Sequence, residues 1–119
     1  MSTITSRITL AYSGTNDSFT ASNSQNVTTS IDQVLFTTQI VGTNAEAVSV
    51  GDLSNLNGGI LIKNMDATNY VEVDVSSGMN SFPQKIMPGA AIFLLPKTTS
   101  LHAKANTAPV VVTVCAVAG

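Results

Sequence analysis

Apolar and polar residues alternate with a period of two along much of this chain, a pattern typical of β-strands that turn one face towards a core. At the start of the chain, Ile4, Ser6, Ile8, Leu10 and Tyr12 share one face of such a strand. β-Branched residues dominate the apolar segments, and good helix formers are scarce. The pattern predicts strands at residues 3–12, 17–21, 26–30, 33–41, 46–50, 60–65, 70–75, 90–95, 100–106 and 109–117.

One segment allows a second interpretation. Within residues 30–38, Ile31, Val34 and Leu35 have helical spacing and permit a short helix. Phe36 is followed by two threonines, and this composition favours a strand because β-branched side chains lose rotamer freedom in a helix. We therefore expect a strand here.

Turn residues predict how the strands connect. Asp66-Ala67-Thr68-Asn69 is a four-residue loop of the kind that closes a β-hairpin, so the strands on either side of it are predicted to pair. A second hairpin is predicted across Thr107-Ala108, between the last two strands. Pro88-Gly89 is expected to turn the chain into residues 90–95, a continuous apolar run expected to be buried on both faces.

About eight to ten short strands, with turns roughly every 8–12 residues, predict an all-β fold that is an antiparallel β-sandwich or jelly roll. The length of 119 residues suits one domain, residues 1–119. Glu72 and Asp74 are expected on an outward face, opposite a stripe of Val71, Val73 and Val75. The residues expected inside the sandwich are Ile60, Ile62, Val71, Val73, Ile92, Leu94, Val112 and Val114.

Charge is scarce in this sequence: charged residues make up 10% of it, against about 25% in a typical soluble domain. Five Lys and Arg and seven Asp and Glu spread over roughly 6,000 Å² of surface leave about one charge per 500 Å². Either the surface is neutral and rich in hydroxyl groups, or much of it is covered by copies of the chain or by a scaffold. We favour the covered surface, because a free β-protein normally guards its edges with charge.

The composition also speaks against several partners. A net charge of −2 with five scattered cations does not suit nucleic acid. The longest apolar runs are too short to cross a bilayer, so no membrane partner is expected, and the first residues do not read as a secretory signal. The single cysteine, Cys115, rules out an intrachain disulfide and is expected to be a buried thiol.

Two groups of residues are candidates for a catalytic or a metal-binding site. Ser100 and His102 share a strand face, but a nucleophile–base pair also needs an orienting acid and an oxyanion hole, and no nucleophile elbow is present. Asp66, Glu72 and Asp74 have oxygen ligands suited to Ca²⁺; the alternative is a solvated face or a charge pair with Lys63. We favour the alternative.

The remaining motifs give no site either. Gly58-Gly59 lacks the lysine and helix of a phosphate loop, so it is interpreted as a flexible strand entry. The sequence therefore predicts no enzyme, no catalytic, cofactor-binding or metal site, and no cofactor.

The second half of the chain, residues 58–117, resembles short virion proteins of tailed bacteriophages. In that pattern an "IKN-D-TNYVEV" segment precedes a "PG" turn and an apolar strand, and an "L-AKANTA-V" segment follows. The matching residues in the first segment are Lys63, Asn64, Asp66, Thr68, Asn69, Tyr70, Val71, Glu72 and Val73. Those further along are Pro88, Gly89, Leu101, Ala103, Lys104, Ala105, Asn106, Thr107 and Ala108. The first 57 residues show no such match.

The resemblance implies a β-sandwich component of a particle: a capsid decoration (cement) protein, or a minor head, neck or tail protein. Side chains of Asn64, Asp66 and Asn69 are expected to cap a turn, and the ring of Tyr70 to cover a cross-strand neighbour. A receptor- or carbohydrate-binding module is the alternative function. Expected partners are the major capsid protein or other virion proteins, in a virion assembled in the host cytoplasm. We also expect a homotrimer, with residues 3–12 as a contact segment.

Overall fold

The computed structural model of the chain describes residues 2–16, 18–29 and 33–119. These residues form strands and loops without a helix, and the all-β prediction is confirmed. Of residues 30–38, for which a short helix was the second interpretation, residues 30–32 lie outside the described residues. From Val34 onwards the chain forms a strand. The strands are β1 (Ser2–Ser13), β2 (Ser18–Thr29), β3 (Val34–Val41), β4 (Glu46–Ala47), β5 (Ile60–Asn64), β6 (Val71–Asp74), β7 (Gln84–Ile86), β8 (Ala91–Leu94), β9 (His102–Ala105) and β10 (Val110–Val117).

Strands β3 to β10 form two antiparallel sheets of four, in the orders β3-β10-β5-β8 and β4-β9-β6-β7. Successive strands change sheet at every connection except that between β6 and β7. Eight strands in this order form a jelly roll, one of the two architectures that the sequence predicts.

Both predicted hairpins are wrong. Strands β5 and β6 belong to different sheets, and so do β9 and β10. The turns at Asp66–Asn69 and Thr107-Ala108 therefore carry the chain from one sheet to the other. Local turn chemistry was read correctly, but it does not determine which strand becomes the neighbour. The strands pair instead with distant segments, as when β10 lies between β3 and β5.

The core lies between the two sheets and is built from alternate residues of each strand. Six of the predicted core residues are buried: Ile60, Ile62, Val71, Val73, Val112 and Val114. The other two, Ile92 and Leu94, are half-buried and pack against that core. Ile86, Leu101, Ala103 and Val110 are among the residues that complete it. The predicted phase of β5, β6 and β10 is confirmed.

Strand β8 was expected to be buried on both faces, and this is wrong. Ala91 is exposed and the other three residues of β8 are half-buried. Leu95, beyond the end of the strand, is 64% exposed. The strand also lies at the edge of its sheet. Strand β7, at the edge of the other sheet, was not predicted, because a stretch of three residues carries too little alternation to register. Val75 was expected on the same face as Val71 and Val73 but is exposed, since β6 ends at Asp74.

Strands β1 and β2 form a long hairpin that we call the arm. Strands β1 and β2 pair with each other from Ser2↔Thr29 to Ser13↔Ser18 and with no strand of the sandwich. Two separate weak strands were expected where β2 runs as one strand of 12 residues. The arm is mostly exposed, so the expectation of a half-buried first strand is wrong beyond Ser6.

Candidate interaction surface

The connection between β5 and β6 is held by Asn64, whose side chain is fully buried. Its Nδ2 donates to the carbonyl oxygens of Asn69 and Ile86, at 2.8 and 3.0 Å, and its Oδ1 accepts from the backbone amide of Asp66 at 2.8 Å. Asp66 in turn accepts from the amides of Asn69 and Thr68, and these bonds lower the pKa of its carboxyl. The predicted capping roles of Asn64 and Asp66 are confirmed.

Asn69 has a different role from the predicted one. Its Oδ1 accepts from the hydroxyl of Thr107 at 2.8 Å, and this bond joins two of the sheet-to-sheet connections. The next residue, Tyr70, lies under Lys85, whose Nζ is 4.4 Å from the centre of the ring. That is the geometry of a cation–π contact. These residues of the virion-protein resemblance therefore hold connections together.

Asp74 is buried, so the expectation that it lies on a solvated face beside Glu72 is wrong. It is the last residue of β6, and its carboxylate accepts from the backbone amides of Val75, Ser81 and Phe82 in the loop that follows. Burial acts to raise the pKa of Asp74. The amides that donate to it outweigh burial, so the pKa lies below its ordinary value.

The three carboxylates considered for calcium are not gathered at one point. Across residues 2–16, 18–29 and 33–119, no three His, Cys, Asp or Glu side chains lie close enough to hold a metal ion. Glu72 stands opposite Lys85 on one neighbouring strand and Lys104 on the other. Lys63, considered as its partner, lies in the other sheet. The carboxylates of Asp66 and Asp74 are occupied by backbone amides.

The residues considered for catalysis form no relay. Ser100 is exposed and precedes β9, while the Nδ1 atom of half-buried His102 has no hydrogen-bond partner in the described part of the chain. Asp74 is the cross-strand neighbour of His102, but its carboxylate is directed to the loop amides. Asp74 is therefore not positioned to orient the imidazole of His102 as a catalytic acid would.

A cleft of about 290 Å³ opens where the edges of the two sheets meet. Its walls are mostly apolar and include Val73, Val75, Phe82, Leu94 and Leu101. Phe82 is exposed at its rim. The one charged group there is Asp74, which is already satisfied, so the cleft offers little to sugar hydroxyls.

The two sheets differ in the faces they turn away from the core. The outer face of β4-β9-β6-β7 carries ionisable side chains, as solvent-facing surfaces commonly do. These are Glu72, Lys85, His102 and Lys104. The outer face of β3 and β10 carries no charged residue, and we call it the β3–β10 face. Its residues are Val34, Phe36, Thr38, Ile40, Val111, Thr113, Cys115 and Val117.

The β3–β10 face presents large apolar side chains to solvent. Phe36 is 78% exposed and Val34 is 72% exposed. Cys115, opposite Phe36, is half-buried on this face, so the prediction of a buried thiol in the core is wrong. The signal in the sequence was the run Val34-Leu35-Phe36, because apolar residues on both faces of a strand are typical of a strand covered on both sides.

The arm has one apolar and one polar face. Directly paired residues share a face, so Tyr12 lies beside Phe19, and Leu10 beside Ala21. With Ile8, whose partner on the same face is Asn23, these residues form what we call the apolar face of the arm. The other face carries Arg7, Thr9, Ala11 and their partners Ser24, Ser22 and Thr20.

The base of the arm rests on the sandwich. Ile4 and Ser6 are half-buried, and residues 4–7 line a groove with Gly58, Leu61, Phe93, Cys115 and Val117. A Cβ on Gly58 would lie 2.6 Å from Cδ1 of Ile4. The arm therefore packs closely against Gly58-Gly59. This corrects the interpretation of these glycines as a flexible strand entry.

The apolar face of the arm continues outward from Ile4 into solvent. Ile8, Leu10 and Tyr12 follow Ile4 at even spacing on the same strand face, and all three are exposed. The sequence had singled out residues 3–12 as a contact segment. The structure adds the second strand of the arm and the β3–β10 face, neither of which was anticipated as part of a surface.

No protein-family model matches the sequence, and no curated protein or solved structure matches it either. In the part of the chain that the structure describes, no helix is long and apolar enough to cross a membrane.

Proposed function

We propose that this chain is a structural protein of a virus particle, a capsid decoration (cement) protein that binds the head lattice and stabilises it. The observation that carries the proposal is the pair of uncovered apolar surfaces, the β3–β10 face and the apolar face of the arm. A β-protein that stays free in solution guards such surfaces with charge, whereas a component of an assembly buries them.

Two further observations support an assembly role. The jelly roll is an architecture used by viral capsid domains, although lectins and cupins use it too. The residues of the virion-protein resemblance, among them Asn64, Asp66 and Thr107, hold the sheet-to-sheet connections. Their role is to stabilise the fold, as expected of a structural protein that serves as a rigid component of an assembly.

The proposed partners are the major capsid protein or other virion proteins. We propose a homotrimer, because capsid lattices present local three-fold axes that a symmetric cap fits. In this proposal the chain is not an enzyme, needs no cofactor, binds neither nucleic acid nor membrane, and joins the virion in the host cytoplasm.

A minor neck or tail protein, or a receptor- or carbohydrate-binding module of the virion, is the second candidate. The cleft beside Phe82 is the observation that favours a binding module, since an exposed aromatic ring can stack on a sugar. Its apolar walls and its satisfied Asp74 count against that reading. Glycan-array binding that Phe82→Ala abolishes would favour the module over the cement protein.

Electron microscopy of purified particles tests the proposal. We expect a jelly roll of this size on the outside of the head, and its loss from particles made without the gene. Those particles are expected to break at a lower temperature than complete ones. Mass spectrometry that finds no copy of the chain in intact particles would overturn the virion assignment, and density confined to the neck or tail would favour the second candidate.

A further inference from the structure

We infer that the arm of one copy of this chain packs on the β3–β10 face of a second copy. This inference specifies the contact behind the self-association proposed above and rests on that part of it alone. It does not depend on whether the chain belongs to a virion.

The chain exposes more surface than a compact protein of its mass. Its accessible area is 7298 Å², whereas the scaling for folded monomers of 12.3 kDa gives about 6,100 Å². Its radius of gyration is 15.3 Å, against about 13.5 Å expected for 119 residues. The excess of about 1,200 Å² reaches the range that specific protein interfaces bury.

The apolar face of the arm fits within the length of the β3–β10 face. It is two strands wide and spans about 14 Å from Ile8 to Tyr12. The β3–β10 face is also two strands wide and spans about 20 Å from Val34 to Ile40. Sheets that pack face to face bring surfaces of this kind together with side chains interdigitating.

The two surfaces also match in chemistry. Neither set of residues includes a charged one. The nearest charged residues are Arg7, which lines the groove at the base of the arm beside Cys115, and Lys63 on β5. Packing one on the other therefore buries apolar area without stripping water from an ion.

A second copy is the occupant that the structure itself indicates. The arm already rests with Ile4 on the outer side of this same sheet, beside Gly58 and Val117. That contact lies over β5, β8 and the Cys115–Val117 end of β10, while Val34, Phe36 and Ile40 on β3 of the same sheet remain exposed. An arm from a neighbouring copy would cover these residues, and each copy would both give an arm and receive one.

The experiment compares two glutamate substitutions with two matched controls. Leu10→Glu charges the apolar face of the arm, and Thr9→Glu places the same charge on its other face. Phe36→Glu charges the β3–β10 face, and Ala47→Glu charges the exposed end of the opposite sheet. All four positions are exposed, and circular dichroism checks that each variant folds.

Light scattering on purified protein gives the mass of each form. We expect the wild type and both controls to be oligomers, and Leu10→Glu and Phe36→Glu each to fall to the mass of one chain. A wild type that is monomeric over the accessible concentration range would overturn the inference. So would oligomers that persist in both glutamate variants, because another surface would then hold the copies together.

Mixing the two monomeric variants distinguishes arm exchange from a general loss of solubility or fold. The Leu10→Glu chain keeps an intact β3–β10 face, and the Phe36→Glu chain keeps an intact arm. We expect the mixture to form a complex of the two, although neither associates alone. A mixture that stays monomeric contradicts the contact. Particle binding, measured separately, decides the proposed virion role.

Discussion

The ring of Tyr12 stacks on the ring of Phe19 across the two strands of the arm, with centroids 5.8 Å apart and an angle of 28° between their planes. The pair lies one residue pair from the end of the ladder. A two-stranded hairpin alone is marginally stable in water, and an aromatic pair contributes about 0.5–1.5 kcal/mol beyond its buried area. This stack therefore supplies a large share of the arm's own stability.

Replacing Phe19 should loosen the arm without unfolding the sandwich. In Phe19→Ala, made in the Phe36→Glu chain so that no neighbouring copy holds the arm, we expect amide hydrogen exchange to quicken in β1 and β2. The melting temperature of the sandwich should stay unchanged, because β1 and β2 form a sheet of their own. Thr20→Ala, on the polar face of the arm, is the control and should leave exchange nearly unaltered. Equal effects of the two variants would show that the stack contributes nothing.

Val73 and Val75 provide a test of the strand phase. Val73 is fully buried, while Val75, two residues later, is 51% exposed. Val73→Ala should lower the free energy of unfolding by about 1–4 kcal/mol, and Val75→Ala by less than about 0.5 kcal/mol. Urea denaturation of the two variants measures the difference. A loss for Val75→Ala as large as that for Val73→Ala would contradict the observed end of β6.

Asn64 is the polar residue on which the core depends most. Asn64→Ala would leave two carbonyl groups and one amide without their partner, so we expect a loss of about 2–4 kcal/mol in the free energy of unfolding. The exposed Asn44→Ala is the control and should change stability by less than about 0.5 kcal/mol. If Asn64→Ala unfolds no more easily than this control, the connection is held by something else.

The sequence predicted the sandwich strands better than their partners. Alternation in β5, β6 and β10 identified the inward residues, because the buried face of a strand shows in the alternation of apolar and polar residues within that strand alone. Which strand lies beside which depends on contacts between distant segments. The turn at Asp66 to Asn69 has the chemistry of a hairpin, yet it joins two sheets.

Residues at strand ends and edges were the least predictable. Asp74 was assigned outward by alternation, but it ends β6 and turns to accept from the loop amides. Leu95 was assigned inward from an apolar run that the structure places at a sheet edge. The proposed contact surface was only half anticipated, because residues 3–12 stood out as a poorly guarded strand, while Val34 and Phe36 were predicted only to lie in a strand.

Stability should fall in acid, and Asp66 and Asp74 give the direction. Both carboxyls have a pKa in the folded chain below the ordinary value of about 3.9. As the pH falls, the unfolded chain therefore takes up these protons first. The stabilisation is complete above about pH 5 and is lost as the pH drops through the lower folded values.

Thermal unfolding measured between about pH 6 and pH 2 tests this direction. Asp74→Asn is expected to melt lower than the wild type at neutral pH, because the loop amides lose a charged acceptor, and to show a shallower decline in acid. Asp52→Asn, at an exposed position, is the control and should follow the wild type. A melting temperature that rises on acidification would contradict the assignment.

Chelation should have no effect on stability. Because Asp66 and Asp74 bind backbone amides and Glu72 faces two lysines, we expect EDTA to leave the melting temperature unchanged and added calcium to leave it unchanged too. Magnesium serves as the control for ionic strength. A drop of several degrees with EDTA that calcium reverses would establish a carboxylate site for the metal.

The pairing of β3 with β10 also dictates an order of events during synthesis. Val34 lies opposite Val117, so nearly the whole sandwich sequence must leave the ribosome before β3 has its neighbour. The arm pairs only with itself, and local hairpins close within microseconds, whereas distant pairings are slow. The nascent chain would thus carry a formed arm long before a β3–β10 face exists to receive one. If arms link copies through this face, they cannot do so between nascent chains whose β10 has not yet left the ribosome.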